Sequence, residues 1–121
     1  MTEVNNRNGE NGTAPAGGTR FAVGDRVADR DGDGTSAARV LDPDVGRADQ
    51  VELGNTGQSV SDKNEQYPPD DRVVRVAFDS DLQVLPEDKN GSIAERVEEF
   101  AANWGVNIRT YDYPESRLIE L

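Results

Sequence analysis

Residues 72–78 read Arg-Val-Val-Arg-Val-Ala-Phe, and this stretch decides the fold class. Val74, Val76 and Phe78 alternate with Val73, Arg75 and Ala77, and β-branched residues at period two describe a pleated strand. Pro68-Pro69-Asp70-Asp71 just upstream is turn chemistry, so the strand starts sharply. On its other side, Leu82, Val84 and Leu85 suggest one more short strand before Pro86.

Further downstream the period changes from two to 3.6. Ile93, Val97, Phe100, Ala101 and Trp104 recur on one helical stripe, while Glu95, Arg96, Glu98 and Glu99 face elsewhere. Ser92-Ile93-Ala94-Glu95 has the S-x-x-E spacing in which the cap hydroxyl and the glutamate satisfy the first unpaired backbone amides. Gly105 supplies the left-handed stop. A helix over 93–104 is therefore expected, with Trp104 in the core. Val106 and Ile108 then alternate towards Tyr111, which predicts a following strand broken at Tyr113-Pro114. Ser116 to Leu121 closes the chain as a short helical turn or an edge strand.

Upstream, Phe21, Val23 and Val27 share one parity around Gly24 and Asp25, as in a kinked, half-buried strand. The pairs Asp31-Gly32 and Asp33-Gly34 offer the positive φ of a tight turn, and Ala37 to Leu41 would return as its hairpin partner. Val51 and Leu53 mark a short third strand before the turn chemistry of Gly54-Asn55-Thr56-Gly57 and a polar stretch from Gln58 to Tyr67. Residues 1–19, rich in Asn, Gly, Thr and Glu, offer nothing to bury and are expected as a disordered N-terminal tail. Residues 20–121 suffice for a single compact domain.

Short strands, one amphipathic helix and a last strand define a β-rich α+β fold. Two architectures fit: a small barrel, or a strongly bent antiparallel sheet, each with one C-terminal amphipathic helix and a last strand. The stretch VGDRVADRDGDGTSAARVL, a Gly-Asp-Arg-Val strand followed by a returning Arg-Val-Leu strand, resembles the first hairpin of SH3-like small barrels. That likeness implies an architecture and no chemistry. In overall style the chain resembles small uncharacterised haloarchaeal proteins, which implies a salt-rich archaeal cytoplasm.

Composition supports that setting. Among 121 residues there are eleven Arg, two Lys, fourteen Asp and ten Glu, for a net charge of -11. Such self-repulsion opposes compaction in dilute salt and is relieved by screening. Short carboxylates hold water, whereas lysine exposes a long apolar stem that concentrated salt penalises. The chain has no Cys and no His, which excludes disulfides, thiolate zinc sites, cysteine nucleophiles and the usual neutral-pH base. No apolar run approaches a membrane span and no basic-then-apolar signal opens the chain, so a cytoplasmic location with no membrane partner is expected.

Asp29-x-Asp31-x-Asp33-Gly34 matches the first half of a calcium loop. The second half fails, because Val40 stands where a bidentate Glu belongs and Ser36 where an apolar residue is usual. Asp29, Asp31 and Asp33 are thus read as a solvated turn, a weak cation candidate only. Asp70 with Asp71, or Asp79 with Asp81, could form a carboxylate pair, yet acids are expected at such turns anyway. No nucleotide loop or hydrolase elbow occurs, and neither catalysis nor a cofactor is expected.

Two binding surfaces remain. Tyr67, Tyr111 and Tyr113 flank prolines and, with Arg117, match the composition of protein interfaces. Arg26, Arg39, Arg72 and Arg75 lie on expected strands and could face RNA or DNA in a medium where counterion release is weak. An exposed apolar patch around Tyr111, Tyr113 and Leu118 would favour protein. An exposed cluster of Arg26, Arg39, Arg72 and Arg75 beside an aromatic would favour nucleic acid, and surfaces that are evenly acidic and free of patches would support neither. The reading that follows is a monomeric, non-catalytic interaction module, with a protein partner preferred, nucleic acid second and a carboxylate enzyme third.

Overall fold

The computed structural model describes residues 19–32, 36–86 and 91–121. The expected tail, apart from Thr19, lies outside these, as do Asp33 and Gly34. The described residues form a small α+β domain: β1 (Arg26–Asp29), β2 (Ala38–Arg47), β3 (Arg72–Phe78), α1 (Asp79–Leu82), α2 (Ile93–Trp104), β4 (Tyr111–Pro114), a 3-10 turn (Glu115–Arg117) and β5 (Leu118–Glu120). One antiparallel sheet runs in the order β4-β3-β2-β1-β5.

The closed barrel suggested by the first hairpin does not form, since β4 and β5 are the two edges and no ladder joins them among the described residues. The bent alternative follows from chain length. Five flat strands would hold their edges about 19 Å apart. Between Pro114 and Leu118 lies only a three-residue 3-10 turn, whose rise spans about 8 Å. The sheet must therefore curl.

Strand β2 supplies the bend. Its register against β3 shifts between Val40 and Asp42 and again between Asp42 and Gly46, and such bulges sharpen local twist. Gly46 sits at φ 148, where an added Cβ would meet Val51 Cγ2 at 3.1 Å, so a side chain there would strain the backbone and press Val51 aside. Pro43 is tolerated here because β1 pairs only with Ala38 and Arg39, which leaves the later half of β2 with a ladder on one side.

Strand β3 falls where the alternation places it, but it is buried on both faces. Val74 and Val76 join Phe21, Val27, Ala38, Val40 and Leu118 inside the curl. Val73 packs with Ala48 and Val60, and Ala77 with Leu41, Leu85 and Ile108 beneath α2. Arg75 can occupy that outer face because Asp112, directly across on β4, receives it at 2.9 and 3.1 Å. Helix α2 carries the expected capping box, Ser92 Oγ accepting from Glu95 N and Glu95 Oε1 from Ser92 N, and Gly105 closes it at φ 67.

Four local expectations fail. Val51 and Leu53 form no strand; the segment keeps one isolated bridge, Glu52 to Ser59, because turns on either side of Gln58 leave no room for a ladder. Leu82 ends the short helix α1, and Val84 and Leu85 follow it in a turn instead of a strand, since Leu82 and Leu85 pack on the same cluster beneath α2. Gly32 is not at positive φ, so the first turn does not use Asp31-Gly32 as expected. Val106 to Thr110 is not extended into a ladder, and the strand starts only at Tyr111.

Candidate functional site

Arg117 is the centre of a polar cluster. Its Nε and Nη2 donate to the two carboxylate oxygens of Asp29 at 2.7 and 2.8 Å, and Nη1 donates to Asn64 Oδ1 at 2.7 Å. The buried Asn64 amide in turn donates to the Val60 carbonyl at 2.7 Å. Asp31 Oδ2 lies 3.6 Å from Arg117 Nε and accepts from Tyr67 Oη and Gln66 Nε2, both at 3.0 Å. The Arg117 guanidinium also lies over the Tyr113 ring at 4.9 Å, and Tyr113 stacks on Tyr111 at 6.2 Å. One side chain thus ties the entry of β5 to β1 and to the loop before β3.

This geometry gives Asp29 and Asp31 of the calcium-like string partners within the chain. The hydrogen bond from Arg117 holds the Asp29 carboxyl below its ordinary value, against the opposing effect of burial. The cation that Asp29 faces is a guanidinium, and Asp33 lies outside the described residues. Tyr67 is pushed up by burial and by its bond to Asp31, and Tyr113 by burial. Among the described residues no group of three or more metal-ligating acids occurs.

The predicted arginines do not form one patch. Arg26 and Arg39 lie directly opposite each other on β1 and β2, a repulsive placement. Asp79 relieves it, 3.2 Å from Arg26 and 3.7 Å from Arg39. Arg72 sits between Asp44 and Glu115 at 3.5 and 3.6 Å, and Arg75 pairs with Asp112. Asp79→Asn should therefore lower the urea stability by about 1 kcal/mol in dilute salt and much less in molar salt. An equal loss in both media would refute charge relief as the role of Asp79.

Of the predicted site residues, Arg75, Tyr111, Tyr113 and Arg117 share one open concavity of about 630 Å³. Arg26 lines another, of about 820 Å³, with Asp79 and Asp81. Asp71, a member of the other acid pair, accepts from the backbone of Arg72 and Ser116 at 3.1 and 2.8 Å and so has a structural task. The apolar patch around Tyr111, Tyr113 and Leu118 that would have favoured a protein partner does not form, because Leu118 is 1% exposed and the two tyrosines are half-buried against the core.

An apolar surface occurs elsewhere, at a residue expected in the core. Trp104 is 69% exposed. Along α2, Ile93, Val97 and Phe100 lean on Leu41, Ala77, Leu85 and Ile108, but the stripe runs one turn past this cover. There Trp104 rests on Phe100, ring centroids 6.4 Å apart, and together with Val84, Pro86 and Val106 they line an open groove of about 360 Å³. The available signal was its position: the last helical residue before a glycine cap, where the stripe can outrun the sheet. Val84 and Val106, outside any regular element, gave none.

Comparison with protein-family models, curated proteins and solved structures finds no match. No described helix is long and apolar enough to cross a membrane.

Proposed function

We propose that this protein is a non-catalytic, protein-binding module of a halophilic archaeal cytoplasm, and that it docks its partner at the Trp104 groove. One observation carries the reading. Of the five large apolar side chains exposed among the described residues, Val84, Trp104 and Val106 converge on this groove, and clustered exposed apolar side chains around a tryptophan are the usual anchor of a protein interface. The preference for protein over nucleic acid rests on the predicted arginines, each of which faces a carboxylate. The acidic, arginine-rich, lysine-poor composition supports the salt-rich setting. The strand order, with the 3-10 turn linking the two edges of a bent sheet, supports reading the scaffold as an open relative of SH3-like small barrels.

The test is recovery of the protein with its partner from its native cytosol at molar salt, followed by binding of the two purified components. Trp104→Ser is expected to weaken that binding at least about tenfold, while Glu65→Ala, an exposed change in the loop before β3, leaves it unchanged. A purified partner that binds Trp104→Ser as tightly as the parent protein would overturn the assignment.

A further inference from the structure

We infer that the free edge of β4 takes up an extended, acid-bearing segment of another protein as a sixth strand. This site is separate from the Trp104 groove, and neither depends on the other. Strand β4 pairs with β3 on one side only, and among the described residues its outer side makes no backbone hydrogen bond. Along that side runs the open concavity of about 630 Å³. The four consecutive residues 110–113 line it, and residues 52–54 with Lys63 and Asn64, from the loop between β2 and β3, bound it.

The unpaired amides and carbonyls of an edge strand recognise another extended backbone. Such edges are commonly guarded by a charge. On β4 the one charged residue, Asp112, is turned onto Arg75 at 2.9 and 3.1 Å, with its side chain 13% exposed, so the edge stays open. Size then sets the occupant. Four residues of one strand, at about 3.3 Å per residue, 4.8 Å between strands and 10 Å from sheet to sheet, fill about 600 Å³. A single strand fits. The β5 edge of a second copy would bring its partner β1 with it, about 4.8 Å further out, where the loop stands.

Charge sets the side chains of the segment. Lys63 is one of only two lysines in the chain, and its ammonium lines the concavity with no partner among the described residues. The other lining cations are engaged, Arg75 by Asp112 and Arg117 by Asp29 and Asn64. Glu52, also in the lining, is turned onto its own loop, where it accepts from Gly57 N at 3.0 Å. A carboxylate on the segment gives Lys63 the partner that the fold does not. Both parts of this recognition act at contact, within about one screening length even in molar salt.

The full chain, isotope-labelled for amide NMR in molar potassium chloride, is titrated with three short peptides. One alternates threonine and valine around a central glutamate, the second has lysine at the centre, and the third is the glutamate peptide with its backbone nitrogens methylated. The glutamate peptide is expected to shift the amide signals of residues 110–113 saturably and to slow hydrogen exchange there. It should bind at least about tenfold more tightly than the methylated peptide and about threefold more tightly than the lysine peptide. Lys63→Gln should abolish the preference for glutamate without loss of thermal stability, and Trp104→Ser should leave the binding unchanged.

Equal binding by the methylated peptide overturns strand addition. No preference for glutamate in the parent protein, or one that survives in Lys63→Gln, overturns the acid-bearing occupant. Slow exchange at residues 110–113 before any peptide is added, together with a dimeric sedimentation mass, puts a second copy on the edge instead. Shifts confined to Val84, Trp104 and Val106 send the peptides to the other groove, and shifts at 110–113 with oligouridylate but with no peptide make nucleic acid the occupant; either result overturns the assignment.

Discussion

Arg117→Ala should destabilise the domain by about 3 kcal/mol, the cost of leaving a largely buried carboxylate without its cation. The side chains of Arg117 and Asp29 are only 22% and 16% exposed, so water cannot replace the guanidinium fully. Asn64, 4% exposed, would lose the donor to its Oδ1 as well, and a buried acceptor left unpaired adds to the loss. Arg117→Lys restores the charge but not the fork that engages Asp29 and Asn64 together, so it should recover less than half of the deficit. Urea unfolding of the three proteins gives the comparison.

The pH dependence identifies the partner. The Asp29 carboxyl lies below its ordinary value of 3.8 in the folded protein, chiefly through the bond from Arg117. A depressed folded value means that its stabilising contribution is complete above the ordinary value and disappears as pH falls through the folded one. Without Arg117, burial dominates and the carboxyl takes up a proton more readily. The deficit of Arg117→Ala should therefore shrink as the pH drops from about 7 to about 3. A deficit that stays constant across that range would show that the loss comes from packing on Tyr113 and not from Asp29.

The cluster around Arg117 also shows why the sequence is legible in some places and opaque in others. The capping box at Ser92 and Glu95 and the strand at 72–78 depend on residues a few positions apart, so local chemistry decides them. The pairing of Arg117 with Asp29 spans 88 positions, and only the antiparallel approach of β5 to β1 brings the two together. Tyr67 and Arg117 are candidates for binding a partner only if exposed; in the fold Tyr67 donates to Asp31, and Arg117 donates to Asp29 and Asn64. Val51 and Leu53 have the parity of a strand, but parity alone does not provide a neighbour to pair with. The acidic, aspartate-rich background adds its own opacity, since it fills turns with carboxylates that look like ligands and then pairs them with arginine.

The sharpest case is the exchange of roles between Leu118 and Trp104. Periodicity places Trp104 on the buried stripe, while Leu118 is a candidate for an exposed apolar patch with Tyr111 and Tyr113. Periodicity reports which side chains share a face; it does not report where the element covering that face ends. Leu118 opens β5 and closes the inner core against Val27, Val40, Val74 and Val76, whereas Trp104 stands one turn beyond the cover of α2. Leu118→Ala should accordingly cost about 3 kcal/mol through lost burial and a residual cavity, and Trp104→Ala no more than about 0.5 kcal/mol. Equilibrium unfolding of the two variants measures both. The contrast separates anchor from core: a tryptophan whose removal scarcely affects folding yet weakens partner binding at least about tenfold is held at the surface for contact. Were Trp104→Ala to cost as much as Leu118→Ala, Trp104 would be a core residue after all and the groove would have no anchor to offer.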